Sequence, residues 1–534
     1  MPEDLMSPGN PAPASNASST PMRTFSRTLL KAAYHLLAVV VVLRGGWFLY
    51  SYFSSYFSPD FLVEARASAG LTTTLGFIRG INPFAAEHVE TYGNLYSAVW
   101  PGLNALVAMA VGATGYQDVR HVMFVVSAFT VTATALGIVV TALRGKIDLL
   151  LAICAGFAFI LFCTTKNSMG EFSYAPGIAL SVFALALTVN RTDRIGLFWS
   201  LLLITFASLF KIYFALLVIP IITAYLASVK TKQLLPTLLA WAALSSAIYL
   251  LLIATLPLYF DCLFNVQIKY VSRHYDRILP NLIWFITVFP FVFVLFVPKV
   301  VEIFVLRSDN RRRNLLFASG CFIVFVFVVA VMLPHGGNFG TYMIHLLGPI
   351  FISLLLVNVG DRQKSADPIA GMTAVVVLLV TVLSPVSSED SWKVYGILSQ
   401  QDLDENRRIL ADIDVLLDQY EPEDIYVDFS LASAAIRSNL PFVDNGNRQY
   451  ISPYLAGRLK GTIRLNPILE LISWKPKRFA GGVSPAAKLL ASKLIICGYQ
   501  CPKGTGHILV KQLGSLAFSY GQSPTIKVFA LPSI

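Results

Sequence analysis

The chain has 534 residues, of which 55% are hydrophobic and only 13% charged, with a mean hydropathy of +0.65. A soluble globular domain carries roughly 25% charged residues, so a soluble enzyme is excluded, and so is a disordered chain, which needs low hydrophobicity. Lys and Arg number 41 against 30 Asp and Glu, a net charge of +11. In a chain with long apolar runs that excess points to a bias in cytoplasmic loops and not to nucleic acid.

Residues 1–22 are rich in Pro, Ser, Ala and Asn and read as a disordered cytoplasmic tail. No short apolar region with a small-residue cleavage site follows, so the first apolar run reads as a retained anchor. Runs long enough to span lie near 28–49, 119–143, 147–164, 174–189, 195–210, 212–228, 234–256, 282–306, 315–333, 343–359 and 368–384. A span needs about 20 residues, with a lower limit near 17, which leaves 174–189 and 195–210 marginal. The run 96–114 contains Pro101, Gly102 and Gly112 and reads either as a span or as an interfacial helix.

Loop charge decides between those two. With the N-terminus inside and 96–114 not spanning, the cytoplasmic loops carry 12 positive residues: Arg144, Lys146, Arg191, Arg194, Lys230, Lys232, Arg307, Arg311, Arg312, Arg313, Arg362 and Lys364. The outer loops beyond residue 150 carry Lys166, Lys211, Lys269, Arg273 and Arg277. A spanning 96–114 would put all 12 outside, against the positive-inside rule. The expectation is therefore a mainly α polytopic protein of about 11 transmembrane helices, with a first outer loop over 51–118.

The composition shifts near Pro385. Residues 385–534 hold 16 Lys/Arg and 14 Asp/Glu, against 25 and 16 in the preceding 384. The chain thus divides into a transmembrane part, 23–384, and an extracytoplasmic C-terminal α/β domain, 385–534, of normal single-domain size. In the latter, 402–420 shows helical apolar spacing, and KLIICG, HILVKQ and TIKVFAL read as late strands. No GxGxxG, Walker loop or Ser/His/Asp set appears there.

Acidic residues at membrane depth are costly and need a reason. The first outer loop carries SPDFLVEARASAG (Asp60, Glu64), GINPF and YGNLYSAVWP (Tyr92 to Pro101). Further on come the loop of Lys166 and Glu171 with the helix EFSYAPGIALSVFALAL, Lys211 in SLFKIYFALLVIP, and HGGNFGTYMIHLLGPI with His335, Tyr342 and His345. In this order and topology they resemble the GT-C superfamily of integral-membrane glycosyltransferases, over roughly residues 28–384. The resemblance implies juxtamembrane helices over 52–114, a polyprenyl-phosphate-sugar donor, a glycan, lipid or protein acceptor, and contact with membrane lipids. The chain departs from the commoner patterns in two places: Glu171 has only Lys166 before it, and Asp60 has Glu64 nearby where a side-by-side acidic pair is frequent.

Glycosyl transfer needs a carboxylate to take the acceptor proton, cations for the leaving phosphate, and a carboxylate near the oxocarbenium-like ring. Asp60 and Glu171 are the candidate catalytic carboxylates. Lys166, Lys211, Lys269, Arg273 and Arg277 are the candidate cations, and Glu64, Tyr92, His335, Tyr342 and His345 complete the substrate-binding set. Each has a plainer reading: Asp60 as a helix cap, Glu171 as a partner of Lys166, Lys211 snorkelling to headgroups, and the IKYVSRHYDR segment as an interfacial band. No metal ligands stand at metal-site spacing, and any cofactor, including a divalent metal, is left open. Cys497 and Cys501 (CGYQC) form a disulfide candidate outside the cytosol. The expected location is a multi-pass place in a bacterial inner (plasma) membrane, with the site facing outward. The alternative from another class is a multi-pass transporter or flippase; against it, no repeat is visible and charge concentrates in loops.

Overall fold

The computed structural model describes residues 21–62, 65–144, 147, 149–164, 174–266, 275–288, 300–301, 303–304, 311–332, 343–357, 397–440, 443–444, 448–465, 469–470, 473, 485–498, 501, 506–518, 521–522 and 524–532. It is mainly helical with a small C-terminal sheet. Of the tail expected over 1–22, residues 1–20 lie outside the described residues, and Pro21 and Met22 already open helix α1 (Pro21–Phe57). Proline fits there because a first-turn N–H has no intrahelical acceptor to lose.

The first loop then folds into α2 (Ala65–Ile78), the single turn α3 (Val89–Tyr92) and α4 (Val99–Ala110). At 12 residues, α4 reaches about 18 Å and is too short to cross a hydrocarbon core of about 30 Å. It buries Trp100, Asn104, Ala105 and Ala108 and exposes Leu103, Leu106 and Met109. The apolar helices that follow are α5 (Tyr116–Arg144), α6 (Leu149–Thr164), α7 (Tyr174–Asn190), α8 (Arg194–Phe210), α9 (Val218–Tyr225) and α10 (Thr231–Thr255). Then come α11 (Ile278–Val288), α12 (Arg311–Phe327) and α13 (Gly348–Leu355).

Among the described residues three helices are long and apolar enough to cross a membrane, Tyr116–Arg144, Lys232–Thr255 and Arg311–Met332. This falls short of the eleven spans expected. For several of the others the limit is length: they form helices of 10–17 residues, such as Leu149–Thr164, Tyr174–Asn190 and Arg194–Phe210, which reach roughly 15–26 Å at 1.5 Å per residue. The segment 368–384 and residues 289–299 of another expected span lie outside the described residues. The apolar helices make the chain a membrane protein. Helix α10 meets α8 through a polar stripe: Trp241 Nε1 donates to Thr205 Oγ1 at 2.9 Å, and the Thr205–Ser245 and Ser208–Tyr249 hydroxyl pairs lie at 2.8 Å. Such bonds hold helices together where lipid supplies no hydrophobic force between them. The remaining faces of α10 expose Leu235, Leu239, Leu250 and Leu251.

Two ends of the helical body are defined by side chains. At the N-terminal end of α8, Arg313 donates to the carbonyls of Thr188 and Arg191 and stacks near Tyr225. At its C-terminal end, about 25 Å away, stands Lys211. The C-terminal unit packs on loops of the Lys211 end. It contains α14 (Gln400–Leu417), opened by a Ser399–Asp402 capping box, with α15 (Ala432–Arg437), α16 (Arg448–Leu459) and α17 (Pro485–Ala491). Its strands are β1 (Ile425–Val427), β2 (Leu494–Cys497), β3 (Ile508–Gln512), β4 (Ala517–Phe518), β5 (Gly521–Gln522) and β6 (Lys527–Ala530). The main sheet has the order β1-β2-β6-β3, with β1 parallel to β2 and the other pairs antiparallel.

One core runs through this unit and the first loop. Leu71 and Leu75 of α2 and Val119 and Met123 of α5 pack with Ile409, Ile413, Ile425, Ile496 and Val528. Cys497 and Cys501 are joined by a disulfide. The side on which this unit stands is testable by reporter fusion. Alkaline phosphatase placed after Ser388 is expected to be active in a bacterial host, and the same enzyme after Arg313 inactive. The reverse pattern would invert the whole orientation.

Candidate active site

Four segments far apart in sequence meet around Lys211. Helix α8 starts at Asp193, whose Oδ1 accepts from Gly196 N–H at 3.3 Å. It stops at Lys211, which is extended (φ −155°, ψ 122°) and lies outside both flanking helices. A 3-10 turn, Ile212–Leu217, follows. The break turns a 4% exposed lysine inward, among aromatic rings. Its Nζ stands 3.9 Å from the centroid of the Tyr96 ring and 5.6 Å from that of Tyr174. Burial pushes the Lys211 ammonium down to about 7. The two tyrosine faces pull the other way, because a ring quadrupole attracts a cation.

His345 closes the cluster. It lies in the π-turn Met343–Leu347 ahead of α13 and is fully buried. Its ring is 4.1 Å from that of Tyr174, and its Nδ1 is 2.5 Å from the Tyr213 hydroxyl. The hydroxyl donates in that bond when Nδ1 carries no proton. Phe214 packs beside it, and a Cβ at Gly177, one turn into α7 from Tyr174, would overlap the Phe214 ring. The arrangement thus offers one cation held in an aromatic box and one imidazole–phenol pair. Such groups favour a ligand with negative charge and a flat or apolar body, and they can pass a proton between ring nitrogen and hydroxyl.

Of the sequence-predicted residues, the fold brings Lys211 and His345 together. Tyr92 is not among the rings that face Lys211; its neighbour four residues on, Tyr96, is. Tyr92 ends α3 and lies against α2, where a Cβ at Gly76 would be 2.9 Å from Tyr92 Cδ1 and Arg79 donates to the phenol at 3.4 Å. Glu64, Lys166, Glu171, Lys269, Arg273, His335 and Tyr342 lie outside the described residues; Arg277 ends a 3-10 turn, Tyr275–Arg277. Sequence reasoning missed Tyr96, Tyr174 and Tyr213. Each stands within four residues of a residue it did select, in YGNLY, EFSY and FKIY, but the pairing of rings with a lysine is non-local.

Asp60 has a different setting from that expected of a free base. Its Oδ2 is 2.9 Å from both Nε and Nη2 of Arg407 on α14, and its carbonyl accepts from Asn406 at 3.1 Å. The turn that carries it is fixed by the fully buried Arg120, which donates to Ser58 O at 2.9 Å and Phe61 O at 2.5 Å. Two further acids of the loops make similar contacts. Glu90 pairs with Arg448 at 3.7 Å, and Asp261 accepts from Tyr454 and, at 3.0 Å, from Asn265. These carboxylates dock the C-terminal unit onto the first and third loops. That gives three acids in a membrane protein a structural reason to be there.

No family model matches this sequence. No curated protein matches it either. Among solved structures, the chain is similar to the crystal structure of the Archaeoglobus fulgidus oligosaccharyltransferase in complex with Zn and sulfate. The identity is 13%, over 86% of this chain and 67% of that one, with a TM-score of 0.42. The likeness is loose, and the chemistry of the site rests on its own residues.

Proposed function

We propose that this chain is a GT-C-type glycosyltransferase of the membrane, which moves a sugar from a polyprenyl-phosphate donor to a hydroxyl acceptor. The observation that carries the reading is the convergence of Tyr96, Tyr174, Lys211 and the Tyr213–His345 pair at one buried point. In the reaction the bond from the anomeric carbon to the phosphate oxygen breaks as the acceptor oxygen bonds to that carbon. Lys211 stabilises the charge gathering on the leaving phosphate, where a fixed cation in a dry site acts most strongly. A carboxylate takes the acceptor proton. Glu171, three residues before Tyr174 in the chain, is our candidate for that base, because Asp60 is engaged by Arg407.

Lys166, Lys269, Arg273 and Arg277 are proposed as further phosphate partners, and Glu64, His335 and Tyr342 as further substrate-binding residues. The C-terminal unit, 385–534, is proposed to stand outside a plasma membrane, with the site opening on the same side. The test is purified protein incubated with a panel of radiolabelled polyprenyl-phosphate sugars and simple acceptors. Transfer with release of polyprenyl phosphate supports the reading. No transfer from any donor, together with movement of the same lipids across proteoliposomes, would replace it with a flippase.

A further inference from the structure

The segment YGNLYS delivers Tyr96 to Lys211, and one residue in it has a role that the reaction does not absorb. Asn94 is 2% exposed. Its Oδ1 accepts from the N–H groups of Tyr96 at 2.8 Å and Ser97 at 2.9 Å. Its Nδ2 donates to Ser97 O at 3.0 Å and Thr73 Oγ1 at 2.7 Å. Thr73 in turn donates to the carbonyl of Tyr92 at 2.5 Å. All four hydrogen-bonding capacities of the amide are thus filled. Ser97 extends the network across to the next element, donating to Leu209 O at 3.1 Å, two residues before Lys211, while its Oγ accepts from Val99 N–H at 3.1 Å at the start of α4. Tyr259 donates to the same Leu209 carbonyl at 2.9 Å.

We propose that Asn94 is the positioning residue of this site: with Ser97 it fixes the backbone of Tyr96 against the end of α8 and so sets that ring over the Lys211 ammonium. This rests on reading Lys211 as the anion-binding cation of the active site. Only an amide satisfies the set. Aspartate keeps the two acceptor contacts but loses both donors and brings a buried charge, and alanine strands the N–H groups of Tyr96 and Ser97. A buried polar network that is complete holds one geometry, and one broken member loosens the rest.

The test reads Lys211 directly. Full-length protein in lipid nanodiscs is treated with a trace of acetic anhydride, and acetylation of Lys211 is compared with that of the other lysines by peptide mass spectrometry. Opening of the loop is governed by the hydrogen bonds lost, so Asn94→Ala is expected to raise Lys211 labelling by roughly fivefold or more. Tyr96→Ala should do the same. Asn94→Asp should give a smaller rise. Asn104→Ala, at a buried asparagine of α4 in the same loop, should leave Lys211 at the parental rate.

Parental labelling in Asn94→Ala alongside raised labelling in Tyr96→Ala would overturn the proposal. So would an equal rise in Asn104→Ala, which would mean general loosening. If Asn94→Ala does not fold, Thr73→Val removes the hydroxyl partner while keeping shape, and the same rise is expected; no rise overturns the proposal. In transfer assays Asn94→Ala should raise donor KM more than it lowers kcat. If Lys211→Gln leaves transfer intact while the labelling results hold, the positioning role stands and the functional reading falls.

Discussion

Glu171→Gln is expected to lower the rate of sugar transfer by roughly 10²–10⁴, the range for loss of a general base. Asp60→Asn should keep turnover within about fivefold of the parent and lose stability instead. The difference follows from the surroundings of Asp60. Its carboxylate is held by Arg407 at 2.9 Å, and the turn bearing it is pinned by Arg120 and Asn406. Arg407 is 60% exposed on its side chain, so the ion pair is screened and its loss costs about 1 kcal/mol or less. Asparagine retains an acceptor for the guanidinium. Initial rates with a labelled donor, beside thermal unfolding of each purified variant, separate the two carboxylates. Collapse of turnover in Asp60→Asn with normal unfolding would make Asp60 the base, with Arg407 as a partner that releases it. Unchanged rates in both variants would remove both.

Lys211→Gln is expected to cost about 10²–10³ in kcat, as when one preorganised group facing a developing anion is removed. A pH signature accompanies it. Burial sets the Lys211 ammonium to about 7, and a phosphodiester donor does not itself titrate nearby. The anion needs the protonated lysine, so below pH 7 the free site is already charged and affinity is level. Above pH 7 binding must take up a proton, and affinity should fall by up to about tenfold per pH unit, by linkage. Lys211→Arg should flatten that fall, because guanidinium keeps its charge throughout. Titration of donor binding between pH 6 and 9 checks this. A level profile in the parent would mean that the tyrosine faces hold Lys211 charged throughout that range.

The site was partly legible in the sequence, and the reasons differ by residue. Lys211 could be picked out as a cation between two apolar runs, at a place the glycosyltransferase resemblance also marked. His345 was picked out only through the resemblance of the HGGNFGTYMIHLLGPI segment. Their mutual approach could not be read, because they are 134 positions apart and nothing in either segment encodes the other. Asp60 shows the opposite case. The cost of burying an acid singled it out as needing a reason, and the contact visible in the fold is with Arg407, 347 residues later. Apolar runs gave helix position well: 174–189 and 195–210 became Tyr174–Asn190 and Arg194–Phe210, each as short as its run.

What the sequence determined by itself is what depends on local composition and repeated bias. Hydropathy makes this a membrane protein, loop charge favoured a non-spanning 96–114, which folds as the short helix α4, and the late apolar runs gave the strands β2, β3 and β6. Tertiary structure alone decided which tyrosine meets the lysine, which acids serve as docking points, and that the C-terminal sheet shares its core with α2 and α5. Those are contacts between segments well separated in the chain, 347 residues apart for Asp60 and Arg407. Their energy comes from desolvation and geometry at the point of meeting, which neither partner's local pattern contains.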